Sequence, residues 1–357
     1  MTLSVRRVSP IEDRQEMLDI LQRNFGSVQE RRFDWRHIHN PAGECWSWFL
    51  CDTNYATPVA MVSVFPRYMR LNGKTMLGGQ VGEFAVDASH RSLGPAVLMQ
   101  RTTFEPVERG AVTLCYDCPP HDQGMSTFVR LGMSPNCEVI RYALPLRSDE
   151  YLGKRLGRGA WMKPAVGAAN LVLRMRRALP RTAGLEIAKF DGCFEDEFSH
   201  LDEVASIAHV IRASRAANVM NWRYREDPLG TISMPTGTTG NYQVLTARRA
   251  GELLAFVVFF VQSDGIASLV DLFGIEISSV GNDLLAAVID ICRREKVSSL
   301  HGFCSEDSEL RPLLAAAGFR PRERNARVVT YAKPETQCGR LLQSGMHFAF
   351  SQVEVML

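Results

Sequence analysis

A pattern that occurs twice constrains this chain most. Trp35-Arg36 is followed by Asn40-Pro41-Ala42-Gly43, and Trp222-Arg223 by Asp227-Pro228-Leu229-Gly230. Both read Trp-Arg-x-x-x-Asn/Asp-Pro-x-Gly, 187 positions apart. The same spacing carries Gly94 onto Gly281, each near the start of a helix-like run. Arg130-Leu131-Gly132-Met133 matches Ala316-Ala317-Gly318-Phe319 at a spacing of 186. Three landmarks in one order at nearly one spacing indicate a tandem duplication, so both halves must suit the same fold. With 357 residues the chain is long enough for two such units. We expect one unit over 1–147, a basic connection over 148–185 and a second unit over 186–357.

Hydrophobic periodicity predicts the same elements in each half. In the first, Pro58–Phe65 and Lys74–Val86 read as strands on either side of an Asn72-Gly73 turn. A helix follows Gly94, then a buried strand Ala111–Tyr116 and a short helix Ser126–Leu131 stopped by Gly132. Glu138–Leu146 alternates as a last strand. In the second half, strands are expected over Tyr242–Ala247, Leu253–Val261 and Ile266–Phe273. Helix 282–295, strand 298–303, helix 308–316 and strand 326–332 follow, the first helix with Leu284, Leu285, Val288, Ile289 and Cys292 on one face. The expected class is α/β: a twisted mixed sheet flanked by helices, present twice.

Arg91-Ser92-Leu93-Gly94-Pro95-Ala96 joins the strand-like run ending at Val86 to the helix-like run from Ala96 to Glu105. Free N–H groups and the positive end of a helix dipole make such a junction an anion cradle. Gly94 and Ala96 let a phosphate approach the backbone, Arg91 adds charge, and Pro95 suits the first helical position. The order Arg-x-x-Gly-x-Ala resembles the pyrophosphate loop of the GCN5-related N-acetyltransferases. The resemblance covers most of the chain and implies that acetyl-CoA or another acyl-CoA is held at residues Arg91 to Ala96. It further implies that backbone amides of the preceding strand, at Phe84, Ala85 and Val86, grip the pantetheine and thioester.

Acyl transfer to an amine requires a base for the ammonium proton and a donor for the oxyanion. Glu83 is the candidate base: it shares a strand face with Ala85, away from Phe84 and Val86. Burial beside a cleft is expected to raise its pKa. Asp87 reads as a turn residue. The family often places a tyrosine general acid where this chain has Phe128; Tyr116, Ser126 or Thr127 could substitute, or the thiolate could leave unassisted. Tyr116, His121 and Asp271 are candidates for substrate binding, and His121 could instead act as base. Asp283, at the duplicated loop, is expected to cap a helix N-terminus where a phosphate would otherwise bind, so one coenzyme A per chain follows. The Trp-Arg segments are expected to be structural.

Composition narrows the rest. Net charge is +2, so no nucleic-acid partner is expected. The longest apolar run, Leu253 to Val261, is too short to span a membrane, and the first residues lack the apolar core of a signal peptide. Nine irregularly spaced cysteines suggest a reduced, cytoplasmic protein with no metal site, Cys115-Tyr116-Asp117-Cys118 being a lone pair. Tyr151 to Arg181 holds eight basic residues and no acidic one. That segment suits a solvated linker helix, or docking on an anionic membrane face, a polyanionic substrate or an acidic acyl carrier protein. The leading reading is an acyl-CoA N-acyltransferase for a small amine, such as an amino sugar or amino-acid derivative, with surface polysaccharide as one context. A carrier-protein-dependent N-acyl synthase, a tRNA-dependent aminoacyltransferase and a non-catalytic acyl-CoA sensor remain open.

Overall fold

A computed structural model describes residues 3–54, 57–119, 122–149, 182–205, 211–228, 240–306 and 308–343. His121 and the basic stretch 151–181 lie outside the described residues. The first half runs β1 (Leu3–Val8), α1 (Arg14–Phe25), α2 (Glu30–His37), β2 (Trp46–Asp52), β3 (Ala60–Leu71) and β4 (Lys74–Val86). It continues with α3 (Leu93–Thr102), α4 (Glu105–Glu108), β5 (Leu114–Asp117), α5 (Asp122–Arg130) and β6 (Cys137–Pro145). The second half opens with β7 (Glu186–Lys189), α6 (Asp196–Val204), β8 (Ile211–Ala213) and α7 (Ala217–Tyr224). Then come β9 (Gly240–Arg249), β10 (Glu252–Gln262), β11 (Ile266–Gly274), α8 (Ile277–Arg294), β12 (Ser299–Ser305), α9 (Leu310–Ala316), β13 (Arg320–Tyr331) and α10 (Gln337–Gln343).

Local chemistry accounts for these elements. The β3–β4 turn closes on Asn72 and Gly73, both at positive φ (50° and 76°), the backbone a tight two-residue hairpin needs. In α8 the periodic residues Val280, Leu284, Leu285, Val288 and Cys292 are all fully buried, so this stripe holds the helix to the sheet. That helix begins at Ile277, a turn earlier than its periodicity suggests.

Thirteen strands form one continuous sheet in the order β1-β2-β3-β4-β5-β13-β6-β12-β11-β10-β9-β7, with β8 against β3. The order is palindromic. Each half surrenders its last strand to the other: β6 pairs antiparallel with β12, and β13 pairs antiparallel with β5 through Val329↔Asp117, Thr330↔Tyr116 and Tyr331↔Cys115. Tyr142, Leu144 and Leu146, at the end of the first half, therefore pack in the second half's core with Leu284 and Val288. In the first half, one sheet face packs against α1 and α2 through Met17, Ile20, Phe33 and Ala85. The opposite face packs against α3 and α4 through Val62, Val86, Met99 and Val107.

The duplicated motif pairs with itself. Trp35 and Trp222 stack with ring centroids 4.3 Å apart and planes at 13°. Trp35 Nε1 donates to the Trp222 carbonyl (2.8 Å), and Trp222 Nε1 donates to the Trp35 carbonyl (3.1 Å). Reciprocal bonds between equivalent atoms define a local two-fold axis, and both indoles satisfy their N–H groups while buried. Trp222→Ala is expected to destabilise the chain by about 3–5 kcal/mol. Trp35→Ala combined with it should cost less than the sum of the two, because each removes the same contact; denaturant unfolding of the single and double variants measures this.

Candidate acyl-transfer site

β4 and β5 are parallel neighbours, but they pair only through Gly78↔Leu114, Gly79↔Cys115 and Gln80↔Tyr116. Beyond these residues the strands part. At the same level β4 carries a bulge against β3, between the Met61↔Ala85 and Ser63↔Gly82 pairs. Glu83 occupies it at φ 53°, a left-handed backbone that costs a non-glycine residue about 1–2 kcal/mol. Such strain persists where surrounding contacts impose it, and it concentrates at functional sites. The second half repeats the bulge at the corresponding place, between Val258↔Asp271 and Phe259↔Leu269, where the residue equivalent to Glu83 is Val270.

The contacts on Glu83 are specific. His37 Nε2 lies 2.7 Å from Glu83 Oε2, and Arg36 Nη1 is 3.5 Å from Oε1; the Glu83 side chain is 15% exposed and His37 is fully buried. His37 Nδ1 lies 2.9 Å from Cys45 Sγ. Phe33 stacks on the imidazole at 4.0 Å, and Arg36 lies 4.0 Å over the Phe65 ring. Burial alone would push the Glu83 carboxyl up, but the His37 charge, its hydrogen bond and Arg36 outweigh it and hold the carboxyl below its ordinary value. That reverses the raised pKa expected from sequence, because the partners come from α2. His37 moves the opposite way: burial opposes its charge, yet Glu83 and the Cys45 bond raise it to about 9. At neutral pH the pair is therefore an imidazolium and a carboxylate. Sequence reasoning missed His37, although it directly follows the Trp35-Arg36 pair.

Asp117 was missed as well. It ends β5, at the point where β5 leaves β4, and its other strand neighbour is Val329 of β13. Burial pushes its carboxyl up to about 7, against a lowering hydrogen bond from the Cys118 backbone. A carboxyl poised near neutrality in a strand divergence is a candidate base. The usable signal was an acidic residue closing a buried strand.

The loop lies at the same end of the sheet. Asp87 follows β4 and accepts from Arg23 (3.1 Å) and Asn24 (2.8 Å), as a turn residue would. Arg91 Nε donates to the Val86 carbonyl (2.8 Å), and Nη2 to Asn24 Oδ1 (3.2 Å), so the guanidinium clamps the strand end. Ser92 caps α3 in extended conformation without a side-chain bond to the helix, which leaves the first N–H groups open. Ser92, Leu93 and Gly94 are exposed, Pro95 is buried, and Ala96 lies partly buried behind them. A Cβ built on Gly94 meets nothing within 4 Å, so the approach to this backbone is clear. A groove of about 460 Å³ runs from there between α3 and α5, lined by Leu93, Gly94, Val97, Leu98, Arg101 and Arg130. Phe84 and Val86 pack with Trp48 on the α3 side of the sheet, while Ala85 packs on the α1 side.

Of the other candidates among the described residues, only Tyr116 lies near Glu83, against Arg67 and Arg36. Phe128 is buried with Met125 and Val329, the Thr127 hydroxyl donates to the Gly124 carbonyl, and Ser126 is exposed. Tyr116 is buried beside Arg67. Asp271 is fully buried, holds Arg215 through both carboxylate oxygens (3.1 Å) and accepts from the Tyr224 hydroxyl at 3.4 Å. Asp283 is no N-cap: it lies in the second turn of α8 and accepts the Thr182 N–H at 3.2 Å. Gly281 lies inside the same helix, with Leu313 within 2.6 Å of a built Cβ, so the second copy offers no open cradle. Among the described residues no cluster of side chains could hold a metal, and no helix is long and apolar enough to cross a membrane.

No family model matches the chain, and no curated protein matches it in sequence. Its fold matches solved structures over nearly its whole length. A probable N-acyltransferase from Enterococcus faecalis V583 aligns with 93% of this chain and 72% of its own, at 13% identity and a TM-score of 0.65. A GCN5-related N-acetyltransferase from Anabaena variabilis aligns with 92% and 73%, at 11% identity and a TM-score of 0.61. N-myristoyltransferase of Saccharomyces cerevisiae with bound myristoyl-CoA aligns with 92% and 82%, at 13% identity and a TM-score of 0.55. The chain therefore has the fold of the GCN5-related N-acetyltransferases, in a tandem arrangement.

Proposed function

We propose that this chain is an N-acyltransferase that moves an acetyl or longer acyl group from coenzyme A to a small amine. One observation carries the reading: β4 and β5 pair no further than Gln80 and Tyr116, and beyond that point β4 bulges at Glu83, at the end of the sheet where α3 presents an open N-terminus. The residues suit coenzyme A as donor. The α3 amides and Arg91 would meet its pyrophosphate, Arg101 and Arg130 border the groove beyond, and the free edge of β4 at Phe84–Val86 would lie along its pantetheine. The donor supplies the thioester; the amine nitrogen bonds to its carbonyl carbon as the carbon–sulfur bond breaks, and the amine must shed one proton. Glu83, kept ionised by His37 and Arg36, holds the ammonium in place and is one acceptor for that proton. Asp117, with its carboxyl near neutrality, is the better-tuned base. We treat 1–147 as the catalytic unit, 186–357 as the unit that completes its sheet through β13, and 148–185 as their connection.

The reading is tested by following thiol release from acetyl-CoA and longer acyl-CoA thioesters across amino acids, amino sugars and simple amines. Amine-dependent release above background is expected. Tight coenzyme A binding without release from any acceptor would favour the sensing alternative.

A further inference from the structure

Three guanidinium groups converge where the two halves meet. Arg67 of β3 is 4% exposed and Arg223 of α7 is 2% exposed, while Arg36 extends from α2. Arg67 lies over the Trp222 ring at 5.0 Å, and Arg36 and Arg223 both act on its charge. Its Nε donates to Gln80 (3.1 Å) and its Nη1 to the Pro66 carbonyl (3.2 Å), and the Tyr116 side chain lies against the same guanidinium, but Nη2 has no partner among the described residues. Among the described residues Arg223 leaves both Nε and Nη1 unpaired, and Arg36 leaves Nε unpaired. Arg32 and Asp227 also act on this region, both through Tyr242. Among the described residues, Glu83, already held by His37, and Asp227 thus face four guanidinium groups and the His37 imidazolium.

Buried like charges with unsatisfied N–H groups are costly, and each such group in a native fold calls for a partner. Arginine's planar fork matches a carboxylate through two parallel bonds. The cluster borders Glu83 through Arg36, whose side chain reaches the same carboxylate that would face the acceptor amine. We propose that the acceptor is an amine that carries a free carboxylate, an amino acid or close derivative, and that Arg67 and Arg223 bind this carboxylate. The inference rests on the acyl-transfer reading for its account of the amine, but not for the carboxylate site itself.

The test compares free amino acids with their carboxamides on the full chain, by thermal shift without donor and by thiol release with acyl-CoA. Acids are expected to raise the melting temperature and to show at least a ten-fold lower KM than their amides. Arg67→Met and Arg223→Met should abolish that preference while leaving the KM for acyl-CoA unchanged. Equal response to acids and amides in the wild-type chain overturns the proposal, and so does an acid preference that survives both substitutions. Should either variant fail to fold, competition by malonate against chloride at equal ionic strength on the wild-type chain decides: no selective displacement of the acid by malonate overturns the site. Acid-selective stabilisation without turnover of any amine would retain the carboxylate site and remove the acyltransferase reading.

Discussion

Replacing Asp117 with Asn is expected to lower kcat/KM for acyl transfer by about 100- to 10,000-fold, the usual worth of a positioned general base. The base must be ionised to act. With the Asp117 carboxyl at about 7, activity should fall as pH drops through neutrality, and the substitution should remove that limb of the profile. Glu83 predicts otherwise. Its carboxyl lies below its ordinary value, so if it alone accepts the proton, the corresponding limb falls below the usual range of about 4.3. Glu83→Gln should still reduce turnover, because it releases His37 and Arg36 into a site that then lacks its carboxylate. A profile of kcat/KM from pH 4 to 9 for wild type and both variants separates the roles; a neutral limb that persists in Asp117→Asn would exclude Asp117 as the base.

Arg91→Glu is expected to weaken coenzyme A binding at least 100-fold, a loss of about 2.7 kcal/mol. The substitution acts twice: it places a carboxylate at the open N-terminus of α3, and it removes the clamp on the Val86 carbonyl that fixes the strand end. Asp283→Asn should leave affinity unchanged, because Asp283 lies within α8 and ties down Thr182 rather than guarding a cradle. Calorimetry should give one coenzyme A per chain. A stoichiometry of two would mean that the second copy keeps a site that its packed Gly281 and early helix start argue against.

The element order was legible because it is local, but the helix after the Arg91–Ala96 junction begins at Leu93, three residues before the expected Ala96, so Pro95 is its third residue and not its first. Strands alternate, helices repeat at their own period, and the Arg91–Ala96 junction can be seen in six consecutive residues. The site was only half legible. Glu83 stands at a bulge that strand alternation does not announce, and its pKa direction was misread because His37 and Arg36 arrive from a helix some 46 positions away. Asp283 was misplaced because periodicity locates a helix face more reliably than its first turn.

The sequence by itself determined that the chain is duplicated and which elements each copy forms. Only the tertiary structure decided that the halves trade their last strands, that Trp35 and Trp222 bond reciprocally across the join, and that His37 meets Glu83 beside three arginines. Alternation along a strand says which face is buried, but not which strand lies beside it. Partners separated by 132 to 187 positions, such as Arg70 with Asp202 or the two tryptophans, leave no periodic trace in either segment. They are selected by the closure of the whole sheet.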